Sequence, residues 1–148
     1  LVLVPALLAT RGNVYGSLGA RISTALHQGL VEPRVRGGDE RLRAAVAAAL
    51  ANGLLVSSFA AVAVFAILTV LGDSVAPLPV LVATALLSGF LSGVALAGVV
   101  VTAVFAGYRR GRDPDTLVGP LVTTTGDLFG MLFLLVAVRL VLFAAGVV

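Results

Sequence analysis

Four long apolar stretches, separated by short clusters of charge, organise this chain. They run over about residues 1–30, 41–71, 79–108 and 116–146, and each meets the roughly 20 residues that a helix needs to cross a bilayer. The pattern predicts an all-α integral membrane protein with four transmembrane helices in a single transmembrane domain. The first stretch is the least regular, interrupted by Pro5, Arg11, Gly12, Asn13, Gly16 and Gly19. A helix so interrupted is expected to be broken or to line a cavity, because unsatisfied backbone at membrane depth is tolerated only where protein or water covers it.

The second stretch follows Gly37-Gly38-Asp39, which makes Asp39 its expected N-cap. Its roughly 30 residues reach about 45 Å, so it should tilt or project into water. The third carries Ser88, Gly89, Ser92, Gly93 and Ala97, small residues at spacings of four that predict close helix packing. The fourth takes Pro120 in its first turns, where a missing N–H is cheap. Arg139, near its far end, is expected to reach back to the interface.

Composition agrees with the pattern: 59% of the 148 residues are hydrophobic and the mean hydropathy is +1.13, well above a soluble domain. Cysteine is absent, which excludes disulfides and thiolate metal sites, and the single His27 cannot build a His-rich site. With Gln28, His27 is expected to mark the membrane boundary. All ten cations are Arg, and the net charge of +3 is too small and scattered for nucleic-acid binding.

Charge instead sets topology. Arg34, Arg36, Arg41 and Arg43 surround the first connection and Arg109, Arg110 and Arg112 the third, whereas the second carries Asp73 and no cation. The positive-inside rule makes the first and third connections cytoplasmic and places both chain ends outside. The apolar start at Leu1 has neither an initiator Met nor the charged region of a signal peptide. One more helix is therefore expected before it.

Asp127 is the residue that composition cannot absorb. It lies in Thr123-Thr124-Thr125-Gly126-Asp127-Leu128, inside the fourth apolar stretch. A carboxylate at membrane depth costs a few kcal/mol and is retained for a cationic partner or a water-filled pathway. Thr123 and Thr124 precede it by four and three residues and share or flank its helix face. Hydroxyls, carbonyls and one carboxylate suit a hard divalent cation that keeps much of its hydration, as Mg²⁺ does. Asn13, in the interrupted first stretch, can receive a hydrated ion or cap a half-helix. The competing reading is structural: Asp127 pairs with Arg11 or Arg21 and joins two helices of a non-transporting assembly subunit. No nucleophile with a base, phosphate-binding loop or HExxH spacing is present, so an enzyme is not expected.

Two segments resemble the membrane domain of the MgtE-type magnesium transporters and their relatives in solute carrier family 41. One is Pro5-Ala6-Leu7-Leu8-Ala9-Thr10-Arg11-Gly12-Asn13, continuing through Leu18-Gly19-Ala20-Arg21-Ile22-Ser23-Thr24-Ala25. The other is Gly119-Pro120-Leu121-Val122-Thr123-Thr124-Thr125-Gly126-Asp127-Leu128. The resemblance implies that these are the last four helices of a five-helix unit. It implies an ion path where two such units meet, as a homodimer or a fused tandem in the lipid bilayer of the plasma membrane. Asp127 would hold a largely hydrated Mg²⁺ there, with Thr123, Thr124 and Asn13 as its polar surroundings. Val14-Tyr15-Gly16-Ser17 after Gly-Asn departs from the bacterial channels toward the solute-carrier branch, which leaves proton- or sodium-coupled export open beside conduction.

Overall fold

The computed structural model describes residues 3–33, 39–112 and 114–146. Arg34 and Arg36, which enter the charge argument, lie outside them. Four α-helices are present: α1 (Leu3–His27), α2 (Glu40–Val70), α3 (Leu78–Arg109) and α4 (Pro114–Ala144). Three segments are long and apolar enough to cross a membrane, namely Glu40–Val70, Leu78–Arg109 and Val118–Ala144. α1 is not among them, because Arg11, Asn13, Ser17, Arg21 and Ser23 lower its hydropathy.

Of the two expectations for the interrupted first stretch, a break or a cavity lining, α1 is unbroken and lines clefts instead. Pro5 falls in the first turn, where its missing N–H costs no helical bond. Away from bulk water, moreover, the backbone has no better partner than its own helix. Leu3, Leu7, Arg11, Tyr15, Leu18, Ile22 and Leu26 recur every three or four residues and form the buried stripe of α1. The helix ends where Gly29 turns left-handed at φ +68°. The Leu30 N–H then donates to the Ala25 carbonyl at 2.9 Å, closing the last turn.

α1 packs on all three other helices, and α3 does the same. Among the described residues α2 and α4 do not touch, so they flank a central α1–α3 pair from opposite sides. One apolar cluster joins Tyr15, Leu18, Ile22 and Leu26 of α1 to Leu96, Val100 and Val104 of α3 and Val118 and Val122 of α4. A second, at the other end, joins Leu3 and Leu7 to Ala61, Val64 and Ala85.

Asp39 caps α2 as expected, its Oδ1 accepting from the backbone N–H of Arg41 at 3.0 Å and of Leu42 at 3.4 Å. Pro120, expected in the first turns of α4, lies inside the helix because α4 already begins at Pro114. The neighbouring Thr123 hydroxyl donates to the carbonyls of Gly119 and Pro120, at 3.1 and 3.0 Å.

The small residues of α3 serve packing. A β-carbon at Gly93 would strike the hydroxyl of Tyr15 and come within 2.9 Å of Leu50. One at Gly53 would lie 3.3 Å from the same hydroxyl. Tyr15 therefore reaches from α1 into a slot cut in both α2 and α3. Gly93→Ala is expected to cost about 1–3 kcal/mol through overpacking. Adding Tyr15→Phe should recover most of that loss, because it removes the atom the new methyl strikes. A double-mutant cycle of unfolding in detergent measures the coupling; an additive result would show that the slot relaxes elsewhere.

Candidate ion site in the cleft between α1 and α4

Two helices with the same local spacing build the site. α1 contributes Leu8, Ala9, Gly12 and Asn13, and α4 contributes Val122, Thr123, Gly126 and Asp127, around a cleft of about 340 Å³. On each helix the four positions are i, i+1, i+4 and i+5, which is one face over two turns. Ala9, Gly12 and Gly126 supply little side chain, so space remains between the helices. Asn13, Thr123 and Asp127 supply an amide, a hydroxyl and a carboxylate.

All three of these polar side chains are solvent-accessible in the isolated chain. Among the described residues neither Asp127 nor Asn13 makes a side-chain hydrogen bond or ion pair. Asp127 stands nine residues into the apolar segment Val118–Ala144, about 14 Å from one end and 26 Å from the other. It therefore lies away from either end of that segment. Thr124, expected beside it, is exposed but does not line this cleft. It lies three residues from Asp127, on the part of α4 that turns away from α1.

No group of three or more His, Cys, Asp or Glu side chains comes together among the described residues. The cleft thus offers one formal negative charge, half of what neutralises a divalent ion. Its donor set is oxygen-rich and sparse, which fits an ion bound through retained water rather than one stripped and caged.

The alternative reading, a structural pair of Asp127 with Arg11 or Arg21, finds no such pair among the described residues. Arg11 is buried, 3% exposed, and its Nη2 donates to the Ser88 hydroxyl of α3 at 2.6 Å. Its Nε and Nη1 have no hydrogen-bond partner among the described residues. Arg21 lines a separate cleft of about 240 Å³ between α1 and α2, with Ser17, Ala45 and Asn52. His27 closes the end of α1, its Nδ1 2.8 Å from the Ser23 carbonyl and its ring edge-on to Tyr108 at 5.6 Å. The arrangement of Leu8 and Ala9 as cleft walls, and the burial of Arg11 on Ser88, were not anticipated. For Leu8 and Ala9 the sequence signal was position, about one turn before Asn13.

Fold and cleft together define a helical membrane protein with an isolated, accessible carboxylate between two of its helices. Residues 4–137 match the MgtE family of divalent cation transporters. The chain belongs to this family, whose members are transporters and not enzymes. It is also similar to solute carrier family 41 member 3 of Rattus norvegicus, 29% identical over 133 residues, covering 86% of this chain and 28% of that protein. Solute carrier family 41 member 2 of Homo sapiens is 28% identical over 139 residues, covering 90% of this chain and 23% of that protein. The chain therefore spans about a quarter of the length of the curated relatives it matches. No solved structure matches it.

Proposed function

We propose that this chain is one unit of a divalent cation pathway through the plasma membrane, with Mg²⁺ as its cargo and Asp127 as the pathway's fixed carboxylate. The observation that carries the reading is the accessible Asp127 in the α1–α4 cleft, facing outward from an apolar helix with Asn13 and Thr123 beside it. Lipid cannot lie against an ionised carboxylate at that depth at low cost. A second unit covering the face resolves this, because it buries the cleft and brings its own charge. Two such carboxylates balance a divalent ion, and one does not.

The cover is a second copy of this unit or a homologous unit fused to it. Asn13 and Thr123 then act on the ion's water shell, while Thr124 faces the partner side of the path. The structural-subunit reading has lost its support, since Arg11 bonds to Ser88 and Arg21 faces a different cleft. Coupled export by proton or sodium uses the same site and differs in driving force. Proteoliposomes carrying the full-length protein, with a Mg²⁺ indicator inside, test the reading. Protein-dependent uptake along a Mg²⁺ gradient is the expected result, and its absence with correctly inserted protein would sink it.

A further inference from the structure

Arg11 is the one strongly unusual residue that the pathway leaves unused. Its side chain is almost fully buried, it is held by a single neutral hydrogen bond to Ser88, and its Nε and Nη1 are unpartnered among the described residues. Buried polar groups are nearly always paired, and a buried charge without a counter-charge is costly to keep. The space it occupies is built for it. A β-carbon at Gly130 of α4 would strike both Arg11 Nη1 and Leu8, so α4 leaves room for the guanidinium by carrying no side chain there.

Gly130 lies three residues after Asp127, about 4.5 Å further along the helix axis. Leu8 touches both places, lining the cleft and meeting Gly130. Gly12, the next residue after Arg11, is also a cleft wall. The guanidinium thus lies against α4 at Gly130, three residues along that helix from Asp127, with Leu8 reaching both places. Arg11 itself is buried, so its field is screened less than that of a surface charge.

We propose that Arg11 is a fixed internal cation that loosens the cleft's hold on a divalent ion, and so sets the rate at which bound ion leaves. The inference rests on the pathway reading of Asp127. A transport site must bind strongly enough to admit the ion and weakly enough to release it. A carboxylate in apolar surroundings, doubled by a partner's, errs toward binding too strongly. A positive charge held three residues along α4 opposes the ion in proportion to the ion's own charge, and Ser88 fixes where that charge sits.

Mg²⁺ uptake by the full-length protein in liposomes, measured against Mg²⁺ concentration, tests this in the parent, Arg11→Met, Arg11→Gln and Arg11→Lys. Two neutral variants are included so that either one serves if the other does not insert. The neutral variants should show a half-saturating Mg²⁺ concentration lowered by about tenfold, with a reduced maximal rate. Arg11→Lys should stay near the parent. Inhibition by cobalt(III) hexaammine, a trivalent ion of hydrated size, should tighten by a larger factor than Mg²⁺ does, because the opposition scales with charge. A merely structural Arg11 would lower the maximal rate and leave half-saturation unchanged, and that result overturns the proposal. So does equal tightening for both ions. If Asp127→Asn abolishes uptake while the Arg11 variants keep the parent's half-saturation, the inference alone fails. If Asp127→Asn has no effect on uptake, the pathway reading fails and takes the inference with it.

Discussion

Asp127→Asn is expected to lower Mg²⁺ uptake by about 100-fold or more while leaving the amount of protein in the membrane unchanged. The size follows from charge. A unit charge about 4 Å from another, at the effective dielectric of a partly wet protein site, interacts by about 4 kcal/mol, and a divalent ion doubles that before water screens it. Even half of the single-charge figure removes more than a factor of ten from ion occupancy. Where two units each contribute an Asp127, the substitution removes both charges at once. Folding should not suffer, because Asp127 makes no hydrogen bond or ion pair among the described residues and the amide is nearly the same size. Removing an unpaired carboxylate from an apolar segment should in fact ease insertion. Asp127→Glu should keep part of the activity, since charge is retained and only its reach changes. Uptake near the parental level in Asp127→Asn, at equal expression, would dismiss the carboxylate as the pathway's charge.

How much of this was legible in the sequence depends on the distance over which each feature is determined. The four helices were readable because each is written locally, by a long apolar run and a charged or Gly-containing end. Asp39 was readable as a cap for the same reason, its carboxylate serving amides two and three residues away. Asp127 stood out because an apolar context makes a lone carboxylate conspicuous. Its company was half legible: Asn13 and Thr123 do line the same cleft, whereas Thr124 turns off it.

For α1 the sequence left a break or a cavity lining open, and the reason the break does not occur is the solvent. Gly, Asn and Pro count against a helix where water competes for the backbone, but α1 is covered by three neighbours and runs unbroken from Leu3 to His27. Arg11 could not be read at all. Its partner Ser88 is 77 residues away, and the space it occupies is defined by the missing side chain of Gly130 on a third helix. Nothing near Arg11 in the chain announces either contact. A pair with Asp127 was the rival reading, since opposite charges in an apolar chain often meet; helix packing sends the guanidinium toward Ser88 of α3 instead.

Tyr15→Ala should be the most damaging single change to the fold, with an expected loss of about 3–5 kcal/mol, the range for emptying a large aromatic site in a packed core. Tyr15 is 2% exposed and is the largest of the fully buried side chains. Its ring crosses from α1 to the backbones of α2 and α3, which approach at Gly53 and Gly93 only because those positions lack a β-carbon. Once the ring is gone, the two glycine notches face a void that only Leu50, beside Gly93, is near enough among the named neighbours to enter in part. Such a void forfeits the dispersion contacts on every wall. The result also bears on function. Tyr15 is two residues after Asn13, so the same ring that locks α1 to α2 and α3 fixes where α1 presents its face of the Asp127 cleft. Tyr15→Phe should be nearly as stable as the parent, and Tyr15→Ala should lower both unfolding midpoint and uptake. Thermal unfolding in detergent, followed by tryptic protection of α1, measures the first. A midpoint for Tyr15→Ala within a degree or two of the parent would mean that α1 is held by its Leu and Ile stripe alone. The slot in Gly53 and Gly93 would then be a consequence of helix approach, not its cause.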